Sequence, residues 1–267
     1  GNYLKDIESP ILANDGQVLF SGAAHMLAMI DLLDWSNLGL IHTGQIGDLV
    51  LGSYLLGRKH ALVSDKMISK AAHSTKLLDR IPNSVFEELT QTYETDEMFA
   101  FYERCVNGVF NGYQVMQNYS EYASPFLYVD FLEYVMKIDP KYRYDNALYN
   151  EWIENYAPIA LKYPWERTGV MINAGYATRM MSGLAKKIRK DVLGDKTQMS
   201  MNPFDNWYDT NPELRETFET YFRDHIRILS KYPELQEDTL FLFKNGNPIE
   251  KTQALSLLAA VKQLTLD

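Results

Sequence analysis

The spacing of apolar side chains divides this sequence near residue 60. Ahead of that point, short apolar runs are set off by glycine. Leu38-Gly39-Leu40-Ile41-His42 reads as a buried strand. It runs into Thr43-Gly44-Gln45-Ile46-Gly47-Asp48, and the segment behind it, Leu49 to Leu56, has helical spacing. The order predicted is strand, glycine-bearing loop, helix. Val18-Leu19-Phe20 predicts another short extended segment. Ala23 to Trp35 predicts a mostly buried helix whose titratable side chains are His25, Asp31 and Asp34.

Beyond residue 60 the helical period dominates. It predicts helices over 66–80, 96–119, 130–137, 147–161, 177–193, 211–230 and 252–264. The fourth carries Trp152, Ile153 and Tyr156 at core spacing. The fifth ends at Gly194, a C-terminal cap position. Asn211 and Pro212 open the sixth as cap and first-turn residue. Phe241 to Asn247 predicts a short turn. The least regular stretch, 194–208, reads as a surface loop or a cover over a site. Met26, Met29, Met180 and Met181 read as core filling, and Cys105 as a buried small hydrophobe. No linker, repeat or low-complexity tract interrupts the chain. The expected fold is one domain over 1–267, mainly α with a small α/β remnant: a strand-loop-helix part over 20–60 and a helical part over 61–267.

Composition narrows the classes of function. The 267 residues are 46% hydrophobic and 23% charged, which suits a folded protein. A net charge of −9 gives no basic footprint for nucleic acid, so no nucleic-acid partner is expected. One cysteine excludes an internal disulfide and a cysteine-based zinc site. The five histidines His25, His42, His60, His73 and His225 show no zinc-binding spacing. No apolar run approaches the roughly 18 residues that suggest a membrane span, so no membrane partner and a cytoplasmic location are expected. Gly1 reads as a processing or tag scar, and the sequence as a piece of a longer protein. Lys186-Lys187-Ile188-Arg189-Lys190, with Arg179, forms the one basic cluster: a solvated helix face, or a phosphate or partner patch.

The Thr43–Asp48 loop carries the candidate chemistry. A loop between strand and helix offers backbone N–H groups to an anion. Asp48 has the type and place to hold a metal ion that bridges phosphate oxygens. The same residues also make a tight turn with Asp48 as a simple cap. His42 is either a strand-end histidine packed in the core or a phosphate contact.

Thr43-Gly44-Gln45-Ile46-Gly47-Asp48-Leu49-Val50-Leu51-Gly52-Ser53-Tyr54 resembles a signature of the asparagine synthase family, Ser-Gly-(Asp/Glu)-Gly-(Ala/Ser)-Asp-Glu-Leu-Phe-Gly-Gly-Tyr. Gly44, Asp48, Gly52 and Tyr54 match, with Thr43 for Ser. Glu121-Tyr122-Ala123-Ser124-Pro125-Phe126-Leu127-Tyr128 is similar to the family's later Glu-Val-Arg-x-Pro-Phe-Leu-Asp, in the same order. The resemblance covers roughly residues 20–170. It implies the C-terminal part of an adenine-nucleotide α-hydrolase-like domain, in which the short strands belong to a doubly wound sheet completed elsewhere.

The activity implied is ATP-dependent amidotransfer: a carboxylate is adenylated, pyrophosphate leaves with magnesium, and ammonia attacks. ATP and magnesium would be the cofactors, with a glutaminase domain and a homodimer as candidate partners and a small molecule as substrate. Gly44, Gly47 and Asp48 would bind nucleotide and Asp48 the magnesium. Gln45 stands at the family's acidic position for the ammonia step and has no basic function. Leu49 replaces the Glu of Asp-Glu, Ala123 the Arg and Tyr128 the Asp. Phe20-Ser21-Gly22-Ala23-Ala24-His25 is not the family's Ser-Gly-Gly-x-Asp-Ser pyrophosphate loop, which the sequence lacks. Lys162 and Arg167 lie where the family places basic residues, but out of register. The expectation is an adenylating synthetase domain that is inactive alone. The alternative is a non-catalytic relative that binds a ligand or partner.

Overall fold

The computed structural model describes residues 2–165, 168–193 and 202–265. Helices make up most of it, as the periodicity predicts. Residues near the two ends of the sequence share the largest core. Leu4, Ile7, Ile11, Phe20 and Ala24 bury against Leu214, Phe218, Phe222, Leu229, Phe243, Leu255 and Leu258. The elements involved are Glu8–Ala13, Phe20–Ile30, Pro212–His225, Pro233–Asn245 and Pro248–Leu264. Phe222 and Phe243 stack with ring centroids 3.9 Å apart. The Phe20 N–H donates to Ser256 Oγ at 3.0 Å, which ties the first helix pair to the last.

Two of these helices start at clear side-chain caps. Asn211 Oδ1 accepts the Leu214 N–H at 3.2 Å and opens the 212–225 helix, the cap expected of it. Asn247 and Glu250 form a reciprocal capping box in front of Pro248–Leu264. The predicted turn over 241–247 is mostly helix, because Pro233–Asn245 runs through it and ends only before Gly246. The predicted extended segment at 18–20 gives way to a helix starting at Phe20, whose ring is fully buried. The 96–119 prediction corresponds to a continuous helical rod, Asp96 to Met116, whose middle, Ala100–Val109, winds as π-helix. The helix at Asn83–Thr92 is one that the period does not predict; none of its residues is fully buried.

Two smaller clusters hang from this core. Ala23, Met26 and Ile30 pack on Val115 and Met116. Ile46, Leu49, Val50, Cys105 and Val135 form the third. The strand component is two residues wide. Strand β1 (Ile41–His42) pairs in parallel with β2 (Tyr122–Ala123), with Ile41 opposite Tyr122 and His42 opposite Ala123. Of the expected α/β part, this pair is what the described residues show as strand.

Several core assignments are overturned. Met29, Met180 and Met181 are exposed, while Met26 is buried as expected. Trp152 and Tyr156 are exposed, with Trp152 stacked between Tyr149 and Tyr156, so only Ile153 of that spacing reaches the core. Gly194, Arg167 and most of the 194–208 stretch lie outside the described residues. The described end of that stretch enters a helix, Phe204–Thr210.

Candidate functional site

The two stretches that resemble family signatures lie side by side. The Ile41 N–H donates to Glu121 O at 2.9 Å and the Thr43 N–H to Ala123 O at 2.8 Å. Just beyond the strands, Ser124 Oγ donates to Gln45 O at 2.9 Å. Gly47 faces the Phe126 ring so closely that an added Cβ would come within 2.7 Å of it. A parallel pair needs a long crossover, and here the crossover brings residues 43–54 and 121–128 to one place.

The loop itself is tightly wound. The Gly47 N–H closes onto Gly44 O at 3.0 Å, and the Gln45 N–H donates to Thr43 Oγ1 at 3.4 Å. Ile46 stands at φ +59°, a left-handed conformation that a β-branched residue rarely adopts. The resembled signature has glycine at that position, which fits the backbone. The expected helix from 49 to 56 is a single turn, Gly47–Val50. Gly52 stops it at φ +93°, where any Cβ would collide with the Arg143 carbonyl oxygen.

Side-chain placement divides the predicted site residues. Gly44 and Asp48 are exposed, and nothing lies within 4 Å of a Cβ built on Gly44. Asp48 Oδ1 accepts the Leu49 N–H at 3.0 Å. Gln45 is buried and neither end of its amide has a hydrogen-bond partner. Leu49 is 1% exposed and sits in the third cluster, so its position faces the core. His42 is exposed, which overturns its core reading. Lys162 is exposed as well.

Sequence reasoning missed a cationic group beside Asp48. Arg104 Nε donates to Tyr54 Oη at 2.8 Å, and its guanidinium carbon lies 5.0 Å from that ring's centroid. Partial burial works against the Arg104 charge, but the Tyr54 hydroxyl and Asp48 carboxylate more than offset it, and its pKa is raised. Burial raises the Tyr54 pKa. Beside them a cleft of about 450 Å³ is lined by Tyr54, Arg104, Lys66, Lys70 and Asp96, with Met67 and Phe99 as apolar wall; neither Gly44 nor Asp48 lines it. Lys66 and Lys70 share a helix face at i, i+4 spacing, the one signal that a sequence offers for them.

Burial, and then Asp48, push the Cys105 thiol up to about 11, so it is protonated at neutral pH and inert. Among the described residues no three His, Cys, Asp or Glu side chains cluster in a metal-holding arrangement. Magnesium commonly takes one or two carboxylates plus ligand phosphates. Asp48 is one exposed carboxylate, and on its own it does not make a metal site.

A second charged group lies behind Gly52. Arg143, 0% exposed, grips Glu97 with both terminal nitrogens, at 2.8 Å through Nη2. Asp96 Oδ1 accepts the Ala61 N–H at 3.1 Å. His60 stands 3.5 Å from Asp96 and 3.8 Å from Glu97. These groups hold the 56–61 loop and the floor under Gly52.

No protein-family model matches the chain, and no curated protein and no solved structure is significantly similar to it. Among the described residues no helix is long and apolar enough to cross a membrane.

Proposed function

We propose that this chain forms part of an asparagine-synthase-like, ATP-dependent carbon–nitrogen ligase, contributing the half of the site that meets magnesium and phosphate. The observation that carries the reading is the juxtaposition of the two resembling stretches: β1 beside β2, Ser124 on Gln45, and Phe126 on Gly47. In such a site Asp48 would hold a magnesium ion shared with nucleotide phosphates. Arg104, Lys66 and Lys70 would offset phosphate charge, which a chain of net charge −9 must do locally. Bound ATP and magnesium would supply the leaving group that activates a carboxylate. Tyr54 Oη accepts from Arg104 Nε, and the Asp48 carboxylate acts electrostatically on both.

Titration calorimetry of the protein with ATP and magnesium, repeated on Asp48→Ala, tests this. Heat that depends on Asp48 supports the reading; no heat, or heat unchanged by the substitution, overturns it. The 267 residues alone, without a Ser-Gly-Gly-x-Asp-Ser loop, should release no pyrophosphate from ATP.

A second reading, a non-catalytic ligand- or partner-binding relative, is favoured by Leu49. Its side chain is locked in the core where the family has an acid. Under that reading the cleft binds anions but no pyrophosphate forms in any context, including the protein to which this chain belongs.

A further inference from the structure

The Tyr176–Leu193 helix is turned inside out. At 3.6 residues per turn, Met180, Met181, Leu184, Ile188 and Val192 fall within an arc of about 120°. All five are exposed, from 49% at Ile188 to 73% at Val192. The opposite edge is the one that meets the protein. There Arg179 Nη1 stands 3.5 Å from Asp145, Ser182 Oγ donates to Thr168 O at 2.5 Å, and the Lys186 stem lies over Gly169. A surface helix ordinarily buries its apolar arc and shows its polar one. Here the polar edge is docked and the apolar arc faces away from the body.

The charge on this helix is as unusual as its orientation. The chain carries −9, yet this segment has Arg179, Lys186, Lys187, Arg189 and Lys190 against Asp191 alone. Lys187, exposed, borders the apolar arc on one side, and Arg189, also exposed, lies further round on the other, beyond Ala185. Asp191 also falls within this arc, at its C-terminal end; over the preceding turns the strip is apolar with basic flanks, the arrangement that lies in a lipid headgroup layer. Charges beyond roughly 10 Å are screened at physiological salt, so the local positive charge governs the contact rather than the acidic remainder.

We propose that this helix docks the protein on an anionic lipid surface. The apolar arc enters the boundary between headgroups and acyl chains, and the basic borders meet the lipid phosphates. Two other occupants fit less well. A second copy of the helix would set two positively charged strips against each other. A protein groove would need to wrap a helix whose back edge is already held by Asp145 and Thr168.

Co-sedimentation of the whole chain with vesicles decides it. Phosphatidylcholine vesicles are compared with an equimolar mixture of phosphatidylcholine and phosphatidylglycerol, at low and high salt. The protein should pellet with the mixture, weakly with phosphatidylcholine, and less as salt rises. Lys187→Gln should lower the partition coefficient about fivefold, about 1 kcal/mol for one basic residue at the surface. Leu184→Asp with Ile188→Asp should abolish pelleting without lowering the melting temperature, because both side chains already face solvent. The proposal is overturned by equal binding to both vesicles, by no binding to either, or by a double variant that pellets like the original. A dimer in sedimentation velocity that Leu184→Asp dissolves, with no vesicle binding, would assign the arc to a second copy and overturn it as well.

Discussion

Gly52→Ala tests how closely the loop is tied to the buried charges behind it. The residue sits at φ +93°, where an L side chain costs about 1–2 kcal/mol on its own. Its Cβ would collide with Arg143 O and fall 2.7 Å from Arg143 C, so the Arg143 backbone must retreat. Arg143 is fully buried and its guanidinium is what neutralises Glu97. Losing one partner of a buried pair costs about 3–5 kcal/mol. If the retreat separates the pair, the total is about 4–7 kcal/mol. For a chain of 267 residues, that corresponds to a fall in melting temperature of at least about 7 °C. Gly44→Ala is the control, since no atom lies within 4 Å of its Cβ, and it should shift the transition by about 2 °C or less. Differential scanning calorimetry reads both. If Gly52→Ala melts with the Gly44→Ala control, the carbonyl contact does not couple loop and ion pair, and the reasoning fails.

Gly47→Ala should push the Phe126 ring aside, cost about 1–3 kcal/mol in urea unfolding, and weaken magnesium–ATP binding alongside; unchanged binding would separate the 121–128 stretch from the site. Native Cys105 should resist iodoacetamide at pH 8, being buried with its thiol pushed up to about 11, and react only in denaturant; stoichiometric labelling of the folded protein would contradict the placement. Glu250 is desolvated, but Lys76, Ser74 and the Asn247 N–H more than compensate, so its pKa is lowered from 4.5. A depressed carboxylate adds stability above its unfolded pKa and loses it as pH falls through the folded one. Glu250→Gln should therefore destabilise at pH 7 and converge with the original in acid. A penalty equal at pH 7 and pH 3 would show that the charge is not what matters.

Long amphipathic segments are legible in the sequence because their period outlasts local irregularity. The rod from Asp96 to Met116 reads as one helix although its middle is π-wound, since π winding keeps the chain helical and only shifts the face. Faces are less legible than elements. The spacing that marks Trp152 and Met181 as core is the same on a helix whose apolar side is turned outward, and only packing distinguishes them. Asn83–Thr92 carries Val85, Phe86 and Leu89 at helical spacing, too few apolar positions in a polar segment for the period to stand out, and they line an open cleft. The site divides in the same way. Gly44 to Asp48 can be read as a loop from local chemistry alone. The pairing with residues 122–123 cannot, because it depends on a crossover through the 65–116 helices. Arg104 reaches Tyr54 only because the rod passes beside Gly47–Val50, a meeting with no signature in the linear order.

The shared core of residues 4–24 and 214–259 has a consequence for synthesis. Leu4, Ile7, Ile11 and Phe20 are made before their partners, which follow from Leu214 onward about 190 residues later. At about 5–20 residues per second, the early helices wait roughly ten to forty seconds with their apolar faces uncovered. A nascent chain therefore carries these faces without their partners until the 212–264 helices are made.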